Sequence, residues 1–540
     1  MRQAIVRQGR LDGGGVVQVE LNFNCRDELI PILRGLQHVY STPTLRDEIL
    51  KLVERDVSAK SRADRGRGGL SYWCILVLAS ARLGCHLDYD KLQDLAENHR
   101  ALRSIMQVGD FDETNFSWKR IRDNVCLLQP PTIEEINRLI VRAGQGFAPE
   151  AVKTMRADSF VIETNIHYPT DSSLIVDGIR KVLELSEPLA RLHGVSGWRQ
   201  HEQLLRAVKK SARRVARIAH KKGPNYKEKL KTAYAKLLKK SGRVLTRVKE
   251  LIAVVKGRGL PSRDAGPVVN ESLVNSANIV SANIVNENIV NENIVSTNIS
   301  SANISSANIV SSASLITDEL LELTTLETFV ARTQQVRDIA RRRVILGETV
   351  PNDEKLFSLF EPHTQLYKRG KAGKPVQFGR LVLVFEDAAG FITQHRLLTR
   401  SEADRDVAVS ETRRLQERYG QQVETLSFDR GFHSPSNQEE LPKLVKFPCL
   451  PKPGVIQAAA QARTASDTFR QSQQHHPGIE SAIGGLQSGN GLKRCRDRGE
   501  LGLERYLALG ILGRNLHTLG RLVIQRAAPN SEAAHTRRAA

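Results

Sequence analysis

Three carboxylates draw attention by where they fall in the chain: Asp158, Asp429 and Glu480. Asp158 opens the alternating stretch "DSFVIET", which reads as a core strand with Phe160 and Ile162 on the same face as the acid. A core strand has no need of an acid at its start. Asp429 ends a second short strand, "ETLSFD", just before Arg430 and Gly431, and strand ends are where ligand sites gather in α/β sheets. Glu480 lies in "GIESAIGG", a helical stretch, beside apolar Ile479 and Ile483. Acids supplied by separate elements suit a hard cation, because Mg2+ binds through few protein carboxylates plus substrate phosphate. A pair of such ions activates a water and stabilises the leaving oxygen of a phosphodiester. Each acid also has an ordinary reading, as a strand-entry residue, a turn-former and a solvated helix residue respectively. Glu163, Asp171 and Asp177 compete with Asp158 for the first position. Glu163 would point to the opposite strand face, and Asp171 follows Pro169 and Thr170 in the manner of a turn residue.

Other chemistries lack their residues. No Ser/His/Asp arrangement supports acyl transfer. The six cysteines form no C-x-x-C pair, which argues against zinc and against a disulfide framework. The basic loop "KRGKAGKP" has too few residues between Gly370 and Lys374 for a phosphate-cradling nucleotide loop, and no Ser or Thr follows. Its Lys371 and Lys374 suit a DNA backbone instead.

The elements around these acids change character along the chain. Residues 26–110 carry apolar positions at helical spacing, such as Ile30, Leu33 and Leu36, and predict a compact all-helical module. Residues 178–255 predict long helices, with an apolar seam through Leu230, Tyr234, Leu237, Val244, Val248, Leu251 and Val255, interrupted by Ser241. A further helix is expected near 317–345. After it, "PVQFGRLVLVFEDAAGFITQHRLLT" predicts a hairpin, "DRDVAVSETRRLQERYG" a helix, and "LGLERYLALGILGRNLHTLGRLVIQ" a long last helix. The order strand-acid, hairpin, helix, strand-acid, helix-acid is the RNase H-like plan, an α/β fold.

Charge narrows the partner. The 540 residues carry a formal net charge of +21, which favours nucleic acid over other partners. From Arg206 to Arg258 there are 19 Lys and Arg against two acids, a net of +17. Signs this unmixed are not explained by helix ion pairs, so Lys209, Lys210, Arg213, Arg214, Lys221 and Lys222 are expected to meet phosphates. No apolar run reaches the length of a membrane span. The chain reads as cytosolic, with reduced thiols.

One segment fits none of this. In residues 276–310 an Asn-Ile pair recurs every five residues, from Asn278 to Asn308. The period resembles pentapeptide repeats, whose fold is a square β-helix, but Glu287 and Glu292 stand where that pattern wants small residues. Stacked repeats also need neighbours to bury a core. A tandem expansion in a tolerant surface loop, without a catalytic role, is the expectation.

The strings "ADSFVIETNIHYPTDSSLIVDGIRKVL", "FSLFEPHTQLYKRGKAGKPVQFG", "SFDRGFHSPSNQEEL" and "IESAIGGLQSGNGLKRCRDRGELGLERYLALGILGRNLHTLGR" together resemble bacterial insertion-sequence transposases of the DDE type, specifically the ISNCY family. The resemblance covers most of the chain outside the repeat. It implies a DNA transposase that binds terminal inverted repeats, with Asp158, Asp429 and Glu480 as the metal-binding catalytic acids and two Mg2+ ions, or Mn2+ in their place. It implies an RNase H-like core of residues 157–177 and 356–525 split by a basic helical insertion at 178–355. An extension at 1–25, a helical DNA-binding module with its linker at 26–156 and a disordered tail at 526–540 complete the division. A homodimer in a synaptic complex, in a bacterial nucleoid, follows from the same resemblance. Related transposases often place a basic residue seven positions after the catalytic Glu and an Arg four before it; here those positions hold Gln487 and His476. Arg430, Lys493, Arg494 and Arg498 are the residues left to contact DNA beside the acids, with Arg470 and Arg496 as further sources of charge. A copy that binds DNA without cutting it, and a stand-alone RNase H-like nuclease, are the alternatives.

Overall fold

The computed structural model describes residues 15–60, 69–109, 114–257, 306–368, 376–452 and 466–527. They form two compact units, one of residues up to Tyr168 and from Phe360 onward, the other of Pro169–Leu359. In chain order the helices are α1 (Leu29–Ser41), α2 (Pro43–Lys60), α3 (Tyr72–Gly84), α4 (Tyr89–Asn98), α5 (Arg100–Ile105), α6 (Trp118–Val125), α7 (Pro130–Gln145) and α8 (Asp171–Leu192). Then follow α9 (His201–Lys221), α10 (Tyr226–Gly257), α11 (Ser306–Ala340), α12 (Asp404–Arg418), α13 (Pro435–Leu444), α14 (Asp467–His475), α15 (Gly478–Ser488) and α16 (Glu500–Ala527). The strands are β1 (Thr154–Glu163), β2 (Gln365–Lys368), β3 (Val376–Asp387), β4 (Ile392–Leu397), β5 (Thr425–Phe428) and β6 (Phe447–Cys449). The fold is therefore α/β and mostly helical, with one mixed six-stranded sheet.

The first unit is built on that sheet. Its path runs β4-β3-β1-β5-β6, with β2 on the β4 side of β3. β3 lies antiparallel to β1, while β5 is parallel to β1 and β6 parallel to β5. The β3–β4 hairpin turns where sequence placed it, because Asp387 Oδ1 accepts from the Ala389 and Phe391 amides, both at 3.0 Å. The two faces of β1 follow the alternation of the strand. Met155, Ala157 and Val161 pack with Phe385, Leu426 and Phe428 and with Val407, Leu415 and Leu441 of α12 and α13. Phe160 and Ile162 face the other way, into a core shared with the N-terminal helices, α15 and α16.

That second core joins parts the sequence kept apart. Helix α16 is the element against which α1, α3 and α7 pack. Gly520 meets the Pro31 carbonyl and Gly513 meets Gly84, so backbone approaches backbone and a β-carbon at 520 would overlap Pro31 O. Buried Asn515 ties three elements, donating to Asn137 Oδ1 (2.8 Å) and Ile392 O (2.9 Å) and accepting from the Ile392 amide (2.8 Å). The helices of 26–156 thus share one hydrophobic core with the sheet rather than closing a core of their own.

Among the described residues, the second unit holds four α-helices, α8 to α11, around a separate apolar core. The seam of α10 is as the spacing predicts: Tyr234, Leu237, Val244, Val248, Leu251 and Val255 are buried. Ser241 is buried too. Its hydroxyl donates to Leu237 O (2.9 Å) and accepts from Arg337 Nε (3.0 Å), so the polar interruption is satisfied. The unit begins nearer Pro169 than the expected 178, because α8 starts at Asp171, where Thr170 Oγ1 accepts from the Ser173 amide (3.1 Å). One continuous helix cannot be divided at 177. Most of the Asn-Ile repeat lies outside the described residues, but 306–310, expected in a loop, are the first residues of α11.

Candidate active site

Sheet register decides where the acids stand. Asp158 does not open its strand; β1 begins four residues earlier, at Thr154, because residues 154–157 pair in parallel with β5. The last pair of that ladder is Ala157 with Phe428. Asp158 is the next residue of β1 and Asp429 the first residue beyond the end of β5, so the two acids follow the last paired residues of neighbouring strands. Ala157 and Phe428 share one face, so both acids belong to the other. Each carboxylate is braced by its own backbone. Asp158 Oδ1 accepts from the Ser159 amide (2.7 Å), and Asp429 Oδ1 caps the turn Arg430–Phe432 through the Arg430 amide (2.6 Å).

Glu480 reaches the same face on α15. That helix buries Ile479, Ala482, Ile483 and Leu486 on the side of Phe160 and Ile162 and leaves Glu480 exposed in its first turn, where a negative charge suits the helix dipole. Arg156 fixes where the helix begins. It lies on the Asp158 face of β1, binds the buried Glu386 carboxylate (Nε to Oε2, 2.6 Å) and donates to His475 O (3.0 Å). Its guanidinium occupies the space a β-carbon at Gly478 would need, so glycine is what lets arginine and helix close together. Gly478 thus lies at the level of Arg156.

His476 faces the same acids, and in the sequence it is only a departure from the pattern of related transposases. Its Nδ1 lies 3.0 Å from Ser427 Oγ on β5. Burial lowers its pKa, with Arg156 acting in the same sense, while Asp429 and Glu480 act to raise it. The imidazole is therefore held in the field of two of the three acids. Nothing in its spacing could have announced this, since the contact depends on the α14–α15 junction folding back on β5. Burial also raises the pKa of Glu386, against the pull of Arg156.

The rival acids lie elsewhere. Glu163 is on the opposite face, as alternation predicts, and pairs with Arg494 (3.3 Å). Asp171 belongs to the helical unit, where both its oxygens accept from Arg343 Nη1 (3.0 and 2.9 Å), and Asp177 is in the same helix. The basic candidates divide as well. Arg430 is exposed next to Asp429. Lys493 and Arg494 flank the far end of β1, since Glu163 bonds the backbone of Lys493 and Cys495; five residues of strand put them about 17 Å along from Asp158. Arg498 is exposed farther along the chain. Lys209, Lys210, Arg213, Arg214, Lys221 and Lys222 are on α9 or just past it, in the helical unit. Lys371 and Lys374 lie outside the described residues.

The donor chemistry of Asp158, Asp429 and Glu480 fits a hard dication such as Mg2+, which takes oxygen ligands. Among the described residues, no group of three or more His, Cys, Asp or Glu is gathered tightly enough to hold a metal ion. Mg2+ characteristically keeps several waters and uses one or two carboxylates plus substrate phosphate, a demand that two aspartates match in number and type. No described helix is long and apolar enough to cross a membrane. No family model matches the chain, and no curated protein and no solved structure matches it either.

Proposed function

We propose that this protein is a DNA transposase of the DDE type, whose RNase H-like core cuts DNA and joins a 3′ end to a target. The observation that carries the reading is the β1–β5 register, by which Asp158 and Asp429 follow the last paired residues of neighbouring strands, on the sheet face that α15 covers. The strand order β4-β3-β1-β5-β6 is what the strand-acid, hairpin, helix, strand-acid sequence of an RNase H-like core would give. The residues that would hold divalent metal are Asp158, Asp429 and Glu480. Bound there, the metal would supply an activated nucleophile and a stabilised leaving oxygen. The chain's own residues orient that site. Backbone amides fix the rotamers of both aspartates, and Arg156 with Glu386 anchors the start of α15. His476, neutral through burial, presents an uncharged polar ring beside Asp429 and Glu480. Terminal repeat DNA and a second copy of the chain, to bring two ends together, belong to the same proposal.

A second reading has an observation of its own. The acids are not gathered into a three-ligand group, and Gln487 and His476 stand where related enzymes often carry basic residues, which favours a copy that binds DNA without cutting it. The two separate in one assay. Wild-type protein with Mg2+ or Mn2+ and DNA carrying the element's ends should give nicked and strand-transferred products, and Asp429→Ala should reduce them to background. Equal products from both proteins sink the catalytic assignment. Hydrolysis without joined product favours a stand-alone nuclease instead.

A further inference from the structure

We infer that the outward face of α9, with the adjoining face of α10, is a grip for the phosphate backbone of duplex DNA, independent of sequence and built from residues other than the three acids. The argument starts from what α9 buries. Val208, Ser211, Ala212 and Val215 turn one side of the helix into the core of the helical unit. Lys210, Arg213, Arg214, Arg217 and Lys221 fall on the opposite side, at intervals of three, one, three and four residues, and all are exposed. They line a stripe about 17 Å long at 1.5 Å per residue. None of the five has an ion pair or hydrogen bond among the described residues; on this helix the pair formed is Arg206 with Glu202, a turn before the stripe. Helix α10 repeats the arrangement. Lys229, Lys236 and Arg243, spaced by seven, are exposed away from its apolar seam.

Five like charges on one face repel one another, and a solvated surface of this kind is normally mixed in sign. A polyanion removes the repulsion. A duplex carries one charge per ~1.7 Å of axis, so a 17 Å stripe runs beside roughly ten phosphates. The partner is DNA and not an anionic membrane because the stripe carries no large apolar side chain to enter a lipid surface, and the apolar side of α9 is already used in the core. Naming DNA over another polyphosphate rests on the proposed function; the geometry of the grip does not.

The test uses the full chain and a 30-base-pair duplex of random sequence, with affinity measured against salt. Each phosphate contact contributes about −0.9 to the slope of log K against log salt. Combined Lys210→Gln, Arg213→Gln, Arg214→Gln and Arg217→Gln should make the slope shallower by about 3 to 4. Lys210→Gln alone should change it by roughly 0.9, which keeps the question answerable if the fourfold variant misfolds. Arg213→Lys, Arg214→Lys and Arg217→Lys together keep the charge and should keep the slope. A matched control neutralises exposed Lys51, Lys119, Arg413 and Lys446 in the other unit. The inference is overturned if the fourfold stripe variant has the wild-type slope, if the control loses as much, or if the stripe governs binding to phosphatidylserine vesicles and not to DNA. Asp429→Ala should lose cleavage and keep the full slope, so failure of the catalytic reading and failure of the grip are told apart.

Discussion

Removing the guanidinium that anchors α15 should loosen the helix that carries Glu480. In Arg156→Met, Glu386 loses its ion-pair partner while remaining almost fully buried, with 2% of its side chain exposed. Stripping one partner from a buried pair costs about 3–5 kcal/mol. Arg156 is itself 27% exposed, so solvent already screens the pair, and about 2–3 kcal/mol is the appropriate figure. Lifting α15 lets water reach Glu386, so the penalty is relieved on opening. Amides of 478–489 should therefore exchange with solvent deuterium roughly 30- to 150-fold faster at neutral pH, while those of α8, in the other unit, keep their rates. The effect has a pH signature. Burial already raises the Glu386 pKa, and Arg156 opposes that rise; without Arg156 it rises further. A carboxyl whose pKa is higher in the closed state binds more protons there, so the closed state loses stability as pH climbs. The deficit should thus be larger at pH 8 than at pH 5, and Glu386→Gln added to Arg156→Met should recover most of it. Unchanged exchange in 478–489, an equal deficit at both pH values, or no recovery in the double variant each refute the anchoring role.

Three further outcomes follow from the same geometry. Gly520→Ala places a β-carbon onto the Pro31 carbonyl, a backbone overlap that rotamers cannot relieve; a loss of about 3 kcal/mol or more in urea unfolding of the first unit is expected, and a loss under 1 kcal/mol contradicts the close packing of α1 on α16. Asp171→Asn should break the two-oxygen contact with Arg343 and lower the melting temperature of the helical unit, leaving DNA cleavage intact, whereas Asp158→Asn should do the reverse. Abolished cleavage in Asp171→Asn with an unchanged melt would return Asp171 to the metal site. His363 and His517 are pushed down to about 4, chiefly by burial; the unfolded chain then binds more protons below pH 6.5, so stability should fall as pH drops from 6.5 through 4, and His517→Gln should flatten that acid limb.

Local pattern was legible in the chain by itself. The seam of α10, the hairpin of β3 and β4, the short strand that stops just before Asp429 and the helix holding Glu480 all appear from periodicity and turn chemistry, because these depend on residues a few positions apart. The concentration of charge in α9 and α10 was equally plain, since counting needs no coordinates. What alternation along one strand could not supply was register between strands. Asp158 and Asp429 are 271 residues apart in the chain, and only the parallel ladder of β1 with β5 brings both to its one end. The same holds for Arg156, which reads as an unremarkable strand arginine until Glu386, His475 and Gly478 close around it. Asp171 moved from candidate ligand to partner of Arg343 for the reverse reason: α8 folds with the helical unit. The N-terminal helices likewise read as a module until α16, about 350 to 470 residues later, filled their shared core. Sequence periodicity reports which face of an element is buried; which distant face it meets is settled by packing, and here that packing positions the acids.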